Sequence, residues 1–228
     1  TDQLQANLVL ASAGANFYSG VADMKFPIVS GVSSSWVAED SGSDVAAAGS
    51  TSSLTLAPKK LISVVDMSAE AMTQNAGLEA AIRRNIAASI AATWEKALLA
   101  AADVSGAPES IFDDATSGGA TLDAAALIGL ETSVLGNDVN VNGARFGYLT
   151  DANALAVIKA LAQVASVSPI FDNANKTINS IDSFFSSNVG NGGSGNNVLF
   201  GDFSRAHLAQ FGGLDLLYDP YTKSRQGV

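Results

Sequence analysis

Leu78, Ile82, Ile86, Ile90, Trp94 and Leu98 recur at every fourth position of the chain. A helix turns once in about 3.6 residues, so a strict period of four drifts around its surface and makes a ridge that needs apolar contact along its whole length. Ala81, Ala87, Ala88, Ala91, Ala92 and Ala97 let that contact come close. Glu79 near the start and Lys96 near the end agree with the helix dipole, and Gly106 and Pro108 supply the turn signals that stop the helix, which is read over residues 78–102. The ridge is too long for one small lobe to cover, so the fold must bring a second surface to it.

Composition limits what that second surface can be. The chain has 228 residues, 47% hydrophobic and 15% charged, which is ordinary for one large domain or two lobes. It contains no cysteine, which removes disulfides, thiolate nucleophiles and zinc–cysteine sites together and points to a reducing cytoplasm or to indifference to redox. No apolar run approaches the roughly 20 residues that span a bilayer, and the first 18 residues lack the basic start of a signal peptide, so the chain reads as soluble with no membrane partner. A formal net charge of −10 opposes wrapping around phosphate backbones. The paired cations Lys59-Lys60 and Arg83-Arg84 read as solvated or subunit-pairing charges.

Before the ridge, residues 1–20 carry Leu4, Leu8, Val9 and Phe17 among alanine and asparagine, without a clear face, and read as an arm rather than a core element. Residues 24–29 and 35–38 are strand-like, and residues 54–56 alternate as a half-buried strand does. Residues 41–53, SGSDVAAAGSTSS, have nothing that could hold a core. A long two-stranded hairpin with a mobile tip is the simplest arrangement, and such a hairpin is marginal in water without a partner surface. Residues 61–67 read as a strand, followed by a short helix capped by Ser68 and running to Gln74.

After the ridge, helix and strand alternate. Thr121 is expected to cap a helix that runs to about Leu135, with Asp123 in its first turn and Gly136 at its end. Residues 145–150 read as a strand, Asp151 as the cap of a helix carrying Leu155, Ile158, Leu161 and Val164, and residues 178–185 as another strand. The expectation is a mixed sheet with helices packed on it.

Motifs for chemistry are sparse. Residues 190–195 spell G-x-G-x-x-G, but a dinucleotide loop must open a helix and here a strand is expected to follow, so a surface loop is the reading. His207 is the only histidine and has no carboxylate closer in sequence than Asp202, which reads as a strand-face histidine rather than a base or ligand. Asp113-Asp114 is too bare to hold a metal, and Trp36, Trp94, Phe184 and Phe185 lack the basic neighbours of a base-stacking platform. No catalytic residue, cofactor or metal is expected.

The segment 197–221, NVLFGDFSRAHLAQFGGLDLLYDPY, reads as strand, turn, strand: apolar runs at 198–200 and 214–218 flank spaced Phe203, Leu208 and Phe211, with a turn at Gly212-Gly213. Its "LFGDFS", its glycine turn and its "DPY" resemble the late part of tailed-phage major capsid proteins, the family with the HK97 fold. Three further strings fall in that family's order: WVAE at 36–39, LTLAPKKL at 54–61, and VVDMS at 64–68. The resemblance covers about residues 26–221.

That resemblance implies an α+β fold in five parts. They are an N-terminal arm (1–30), an extended loop (E-loop, 31–57) that reaches onto a neighbouring subunit, a peripheral domain with the spine helix (58–105), an axial domain (106–215), and a return towards the peripheral domain (216–228). Relatives continue past the "DPY" string with a further strand, so the peripheral domain is expected to be incomplete at Val228. The residues expected at subunit contacts are Trp36, Glu39, Asp40, Lys59, Lys60, Arg83 and Arg84. Residues 36–58 contain no lysine, so the covalent crosslinking of some members is not expected.

The implied function is a shell protein, a homo-oligomer of pentamers and hexamers in the virion capsid, made in the host bacterial cytoplasm. Its implied partners are portal, scaffold or maturation protease, and DNA enclosed without sequence-specific binding. An encapsulin-like compartment is the alternative within the fold. A flagellin-like filament subunit would need long terminal heptads, which residues 3–20 are too short to provide, and an α/β enzyme would need a nucleophile with its base.

Overall fold

The structure is a computed structural model and describes residues 8–20, 23–30, 36, 39, 49–66, 77–119, 121–136, 144–161, 169–190, 195–213, 215 and 217. Its centre is a five-stranded mixed sheet ordered β5-β6-β7-β4-β8. The strands are β4 (Phe146–Thr150), β5 (Phe171–Asp172), β6 (Thr177–Ile178), β7 (Ile181–Phe185) and β8 (Val198–Asp202). Strand β4 runs parallel to β7 and antiparallel to β8, with Tyr148 opposite Phe200 and Leu149 opposite Leu199. The mixed sheet with helices on it is as the sequence implied.

Successive side chains of a strand point to opposite faces, so each of these pairs feeds a different core. Leu149 and Leu199 enter one cluster with Leu10, Ala13, Leu98, Phe203 and Leu208. Tyr148 and Phe200 enter the other with Leu127, Ile158, Phe171 and Ile178. The sheet is therefore a middle layer. Gly147 sits where a Cβ would stand 3.2–3.3 Å from the rings of Phe184 and Phe203, and its bare backbone lets those rings close over β4.

The second cluster is capped by two helices, α3 (Ala124–Leu135) and α4 (Ala152–Ala160), which follow α1 (Val9–Ala13) and α2 (Leu78–Leu98) in the chain. Asp123, not Thr121, is the cap of α3: its carboxylate accepts from the Ala126 N–H at 2.7 Å. Asp151 caps α4 as its sequence suggested, accepting from the Ala154 N–H at 2.6 Å. Gly136 ends α3 and Leu161 ends α4, and the expected continuation of α4 to Val164 lies outside the described residues.

The ridge helix is α2, with Ile86, Ala91, Ala97 and Leu98 buried and Trp94 packed edge-on to Phe17. It ends at Leu98, short of the expected 102, because donors from elsewhere take its last carbonyls. The Leu98 carbonyl accepts from the Ile111 N–H at 2.9 Å and from the Ser110 hydroxyl, which also reaches Ala100, while Leu99 accepts from the Gly190 N–H at 2.7 Å. Tertiary hydrogen bonds stop the helix before Gly106 and Pro108 can.

Five further sequence expectations are corrected. Residues 50–53, expected in the mobile tip, belong to β3, because their backbone pairs with residues 27–30. Residues 8–20 are not an arm outside the core: Leu8, Leu10 and Ala13 are buried, and β1 (Asn16–Gly20) pairs in parallel with β9 (His207–Phe211). Residues 61–66 form no strand, because no strand of the described residues pairs with them, and all but the half-buried Ser63 lie exposed. The expected strand 178–185 is broken into β6 and β7 by Asn179 and Ser180, whose φ of 49° and 66° make a two-residue hairpin turn. In the late segment the second strand is β9, before the glycine turn, and it does not pair with β8. A 3-10 turn, Phe203–Arg205, separates the two. Most of 214–218, the helix expected after Ser68 and most of 35–38 lie outside the described residues.

Candidate assembly surface

Strands β2 (Met24–Ser30) and β3 (Ser50–Leu56) form an antiparallel hairpin of their own, from Met24 opposite Leu56 to Ser30 opposite Ser50. Alternation puts Met24, Phe26, Ile28, Leu54 and Leu56 on one face, and Lys25, Pro27, Val29, Thr51, Ser53 and Thr55 on the other. Pro27 has no N–H to give a ladder, and a two-stranded sheet is all edge, so it is tolerated. The root is half-buried at Met24, Phe26 and Leu56. Leu54, opposite Phe26, is exposed, and so towards the tip are Ile28 and Val29, Val29 by 63%.

The expected contact residues fall on three segments. Trp36 is completely exposed, at 104%, and Glu39 stands exposed in a turn, while Asp40 lies outside the described residues. Lys59 and Lys60 are exposed on the chain leaving β3. Arg83 and Arg84 are exposed on α2, and Arg83 is already answered within the helix by Glu79, 2.6 Å away. Beyond β3, Leu61, Ile62, Val64 and Val65 add a run of exposed apolar side chains. Sequence reasoning put this run in a strand and so missed it as surface; the five consecutive residues LISVV were the available signal, since such a run needs a partner from somewhere.

Polar groups inside the body hold structure. The Glu95 carboxylate, buried on α2, accepts from the Ser186 hydroxyl, the Asn188 amide at 3.2 Å and the Val9 N–H at 3.4 Å, tying helix, loop and N-terminal segment together. Tyr148 donates to Glu131, which also accepts from Asn179 at 3.0 Å. Burial first, and then the Glu131 carboxylate, push the Tyr148 phenol above its ordinary range. His207 lies on β9 as expected, its Nδ1 3.1 Å from the Tyr18 hydroxyl. Trp94 and Phe184 pack on the first core while Trp36 stands in solvent, so these rings make no common platform. Among the described residues no cluster of three or more His, Cys, Asp or Glu side chains is placed to hold a metal ion, and no helix is long and apolar enough to cross a membrane.

The sequence matches the family described as "Phage capsid family" over residues 2–228. Among solved structures it is similar to the capsid of an empty GTA particle, with TM-score 0.71 and 16% identity over 96% of this chain and 81% of that one. The capsid of the native GTA particle gives 0.70 and 14%, over 95% and 86%. A structure from Mycobacterium phage Bobi gives 0.63 and 14%, over 88% and 70%. No curated protein matches the chain at a significant level. The α+β architecture is thus the HK97-like capsid fold.

Proposed function

This chain belongs to the phage capsid family, and on that premise we propose that it is the shell-forming subunit of a tailed-phage or prophage particle, joining copies of itself into pentamers and hexamers. The observation that carries this reading is the β2–β3 hairpin. It stands as a two-stranded sheet with exposed Ile28, Val29 and Leu54, beyond which Trp36 has its whole side chain in solvent. Exposed apolar area of this kind marks an interaction site, and in a shell of identical subunits the surface that covers it belongs to a neighbouring copy.

In this reading residues 31–57 are the loop that reaches the neighbour, 58–105 the peripheral domain and 106–215 the axial domain. Trp36 anchors the contact, and Glu39, Lys59, Lys60 and Arg84 supply charges at its rim. A net charge of −10 suits a subunit that encloses DNA without gripping its phosphates. The role is structural rather than catalytic. A portal, scaffold or maturation protease would be its partners during assembly in the host cell.

The test is to replace residues 31–49 by Asn-Gly, which closes the hairpin at the Ser30–Ser50 pair with a two-residue turn. The parent should form closed shells under negative-stain electron microscopy. The shortened protein should melt like the parent subunit and form none. Normal shells from the shortened protein, or a body that no longer folds, would refute the reading.

A further inference from the structure

The parallel pair β1–β9 has two faces, and only one belongs to the core. Phe17 and Leu208, opposite one another, point into the first cluster. By alternation Tyr18, Gly20, His207 and Phe211 point the other way. Left bare, this would be an aromatic face in water. The root of the hairpin covers it instead.

Phe26 of β2 stacks on the His207 ring at 5.1 Å between centroids and 16° between planes, and meets Tyr18 at 5.1 Å. The Tyr18 hydroxyl, 3.1 Å from His207 Nδ1, fixes the plane of the imidazole on which Phe26 lies. A second contact lies at Gly20, where a Cβ would stand 3.0 Å from both the Met24 sulfur and the Phe211 ring. The missing side chain lets Met24 settle between them. Met24 and Phe26 share the apolar face of the arm, whereas Ile28, further out on that face, and Leu54, the cross-strand partner of Phe26, are exposed.

We infer that Tyr18, His207 and Phe211 form a seat that clamps the root of the hairpin through Met24 and Phe26 and sets the direction in which the arm leaves the body. The seat is selective because it combines an oriented imidazole, a stacked ring and a close approach over glycine. Simple greasy contact would fix burial but not angle. An arm aimed in advance loses less orientational freedom when its tip is covered. The inference concerns the folded chain alone and goes beyond the shell reading, which could fail without it.

The absence of cysteine makes the test clean. Nitroxides are placed on Ser53→Cys, on the polar face of the arm, and Ala92→Cys, exposed on α2, in the full chain with labelled subunits diluted into unlabelled ones. Double electron–electron resonance should give a single narrow distance. Phe26→Ser and His207→Ser should each lose that narrow distance while the body melts as before, and Thr55→Val, on the opposite face of the root, should keep it. If one variant fails to fold, the other decides. A broad distribution in the parent, a narrow one in a folded Phe26→Ser or His207→Ser protein, or broadening by Thr55→Val would each overturn the seat.

Discussion

Two antiparallel strand pairs of this chain, β4–β8 and β2–β3, have the same hydrogen-bond ladder and opposite surroundings. Tyr148, Leu149, Leu199 and Phe200 of the first pair are buried on both faces of a sheet flanked by two cores. In the second pair Met24, Phe26 and Leu56 are only half-buried, and Ile28, Val29 and Leu54 face water. Complete burial of one large apolar side chain stabilises by about 1.5–3 kcal/mol. A ladder hydrogen bond adds net only about 1 kcal/mol. The first pair is therefore tied to global stability, while the second can open locally without unfolding the body.

The strongest attack on this contrast is Leu149→Asp. It puts a carboxylate among the apolar side chains of the first core, at a cost of several kcal/mol, comparable to the whole stability of a typical domain. The expected outcome is an insoluble protein or one without a cooperative melt. A soluble Leu149→Asp protein that melts like the parent would mean that β4 is not the centre of the fold.

A smaller loss is expected from Glu95→Ala, which strands the donors of Ser186, Asn188 and Val9 around a void. Unmade buried hydrogen bonds cost about 1–3 kcal/mol each, with part recovered by water entering the space. A lowered melting temperature, with hydrogen exchange rising first at residues 186–190, is the expected signature. If the loss instead appeared in β2 and β3, the division between body and arm would be drawn in the wrong place.

Acid probes the body more gently. Burial raises the Asp202 pKa, but the Ser204 hydroxyl, the N–H groups of Arg145 and Ser204 and the Arg205 charge outweigh it and leave the pKa below the usual 3.8. A carboxyl depressed in the fold contributes stability that is present above its unfolded pKa and lost as pH falls through the folded value. Melting temperature should then be flat for this group at neutral pH and decline below about pH 4. Asp202→Asn should make that acid decline shallower. An unchanged acid profile in Asp202→Asn would show that the group holds the turn by geometry alone.

The same contrast decides what could be read from sequence. Strand β4, the Asp151 cap and the α2 ridge were legible because local chemistry and burial point the same way there. The end of α2 was not: Gly106 and Pro108 were the visible stop signals, yet Ser110, Ile111 and Gly190 take the last carbonyls first, and nothing near Leu98 announces donors so far along the chain. Residues 8–20 misled for a similar reason, since Leu8, Leu10 and Phe17 show no helical or strand face until β9 arrives to pair with β1. The exposure of Trp36 was legible, since it is an aromatic in a segment without a core. Ile28 and Leu54 were not, because alternation tells which face they share and not whether anything in the chain covers it.

The gentlest test lies on the arm itself. Val29→Ser exchanges an exposed side chain, paired only with Thr51, for one that water tolerates. Surface substitutions of this kind change stability by about 0.5 kcal/mol or less, and here even that falls on a local equilibrium. The melt of the body should not move. Amide exchange in β2 and β3 should quicken slightly, since a β-branched residue has been lost from a pair held mainly by its ladder. If the body's melting temperature fell by as much as in Glu95→Ala, the arm would be coupled to the core through more than its root, and the contrast between the two strand pairs would collapse.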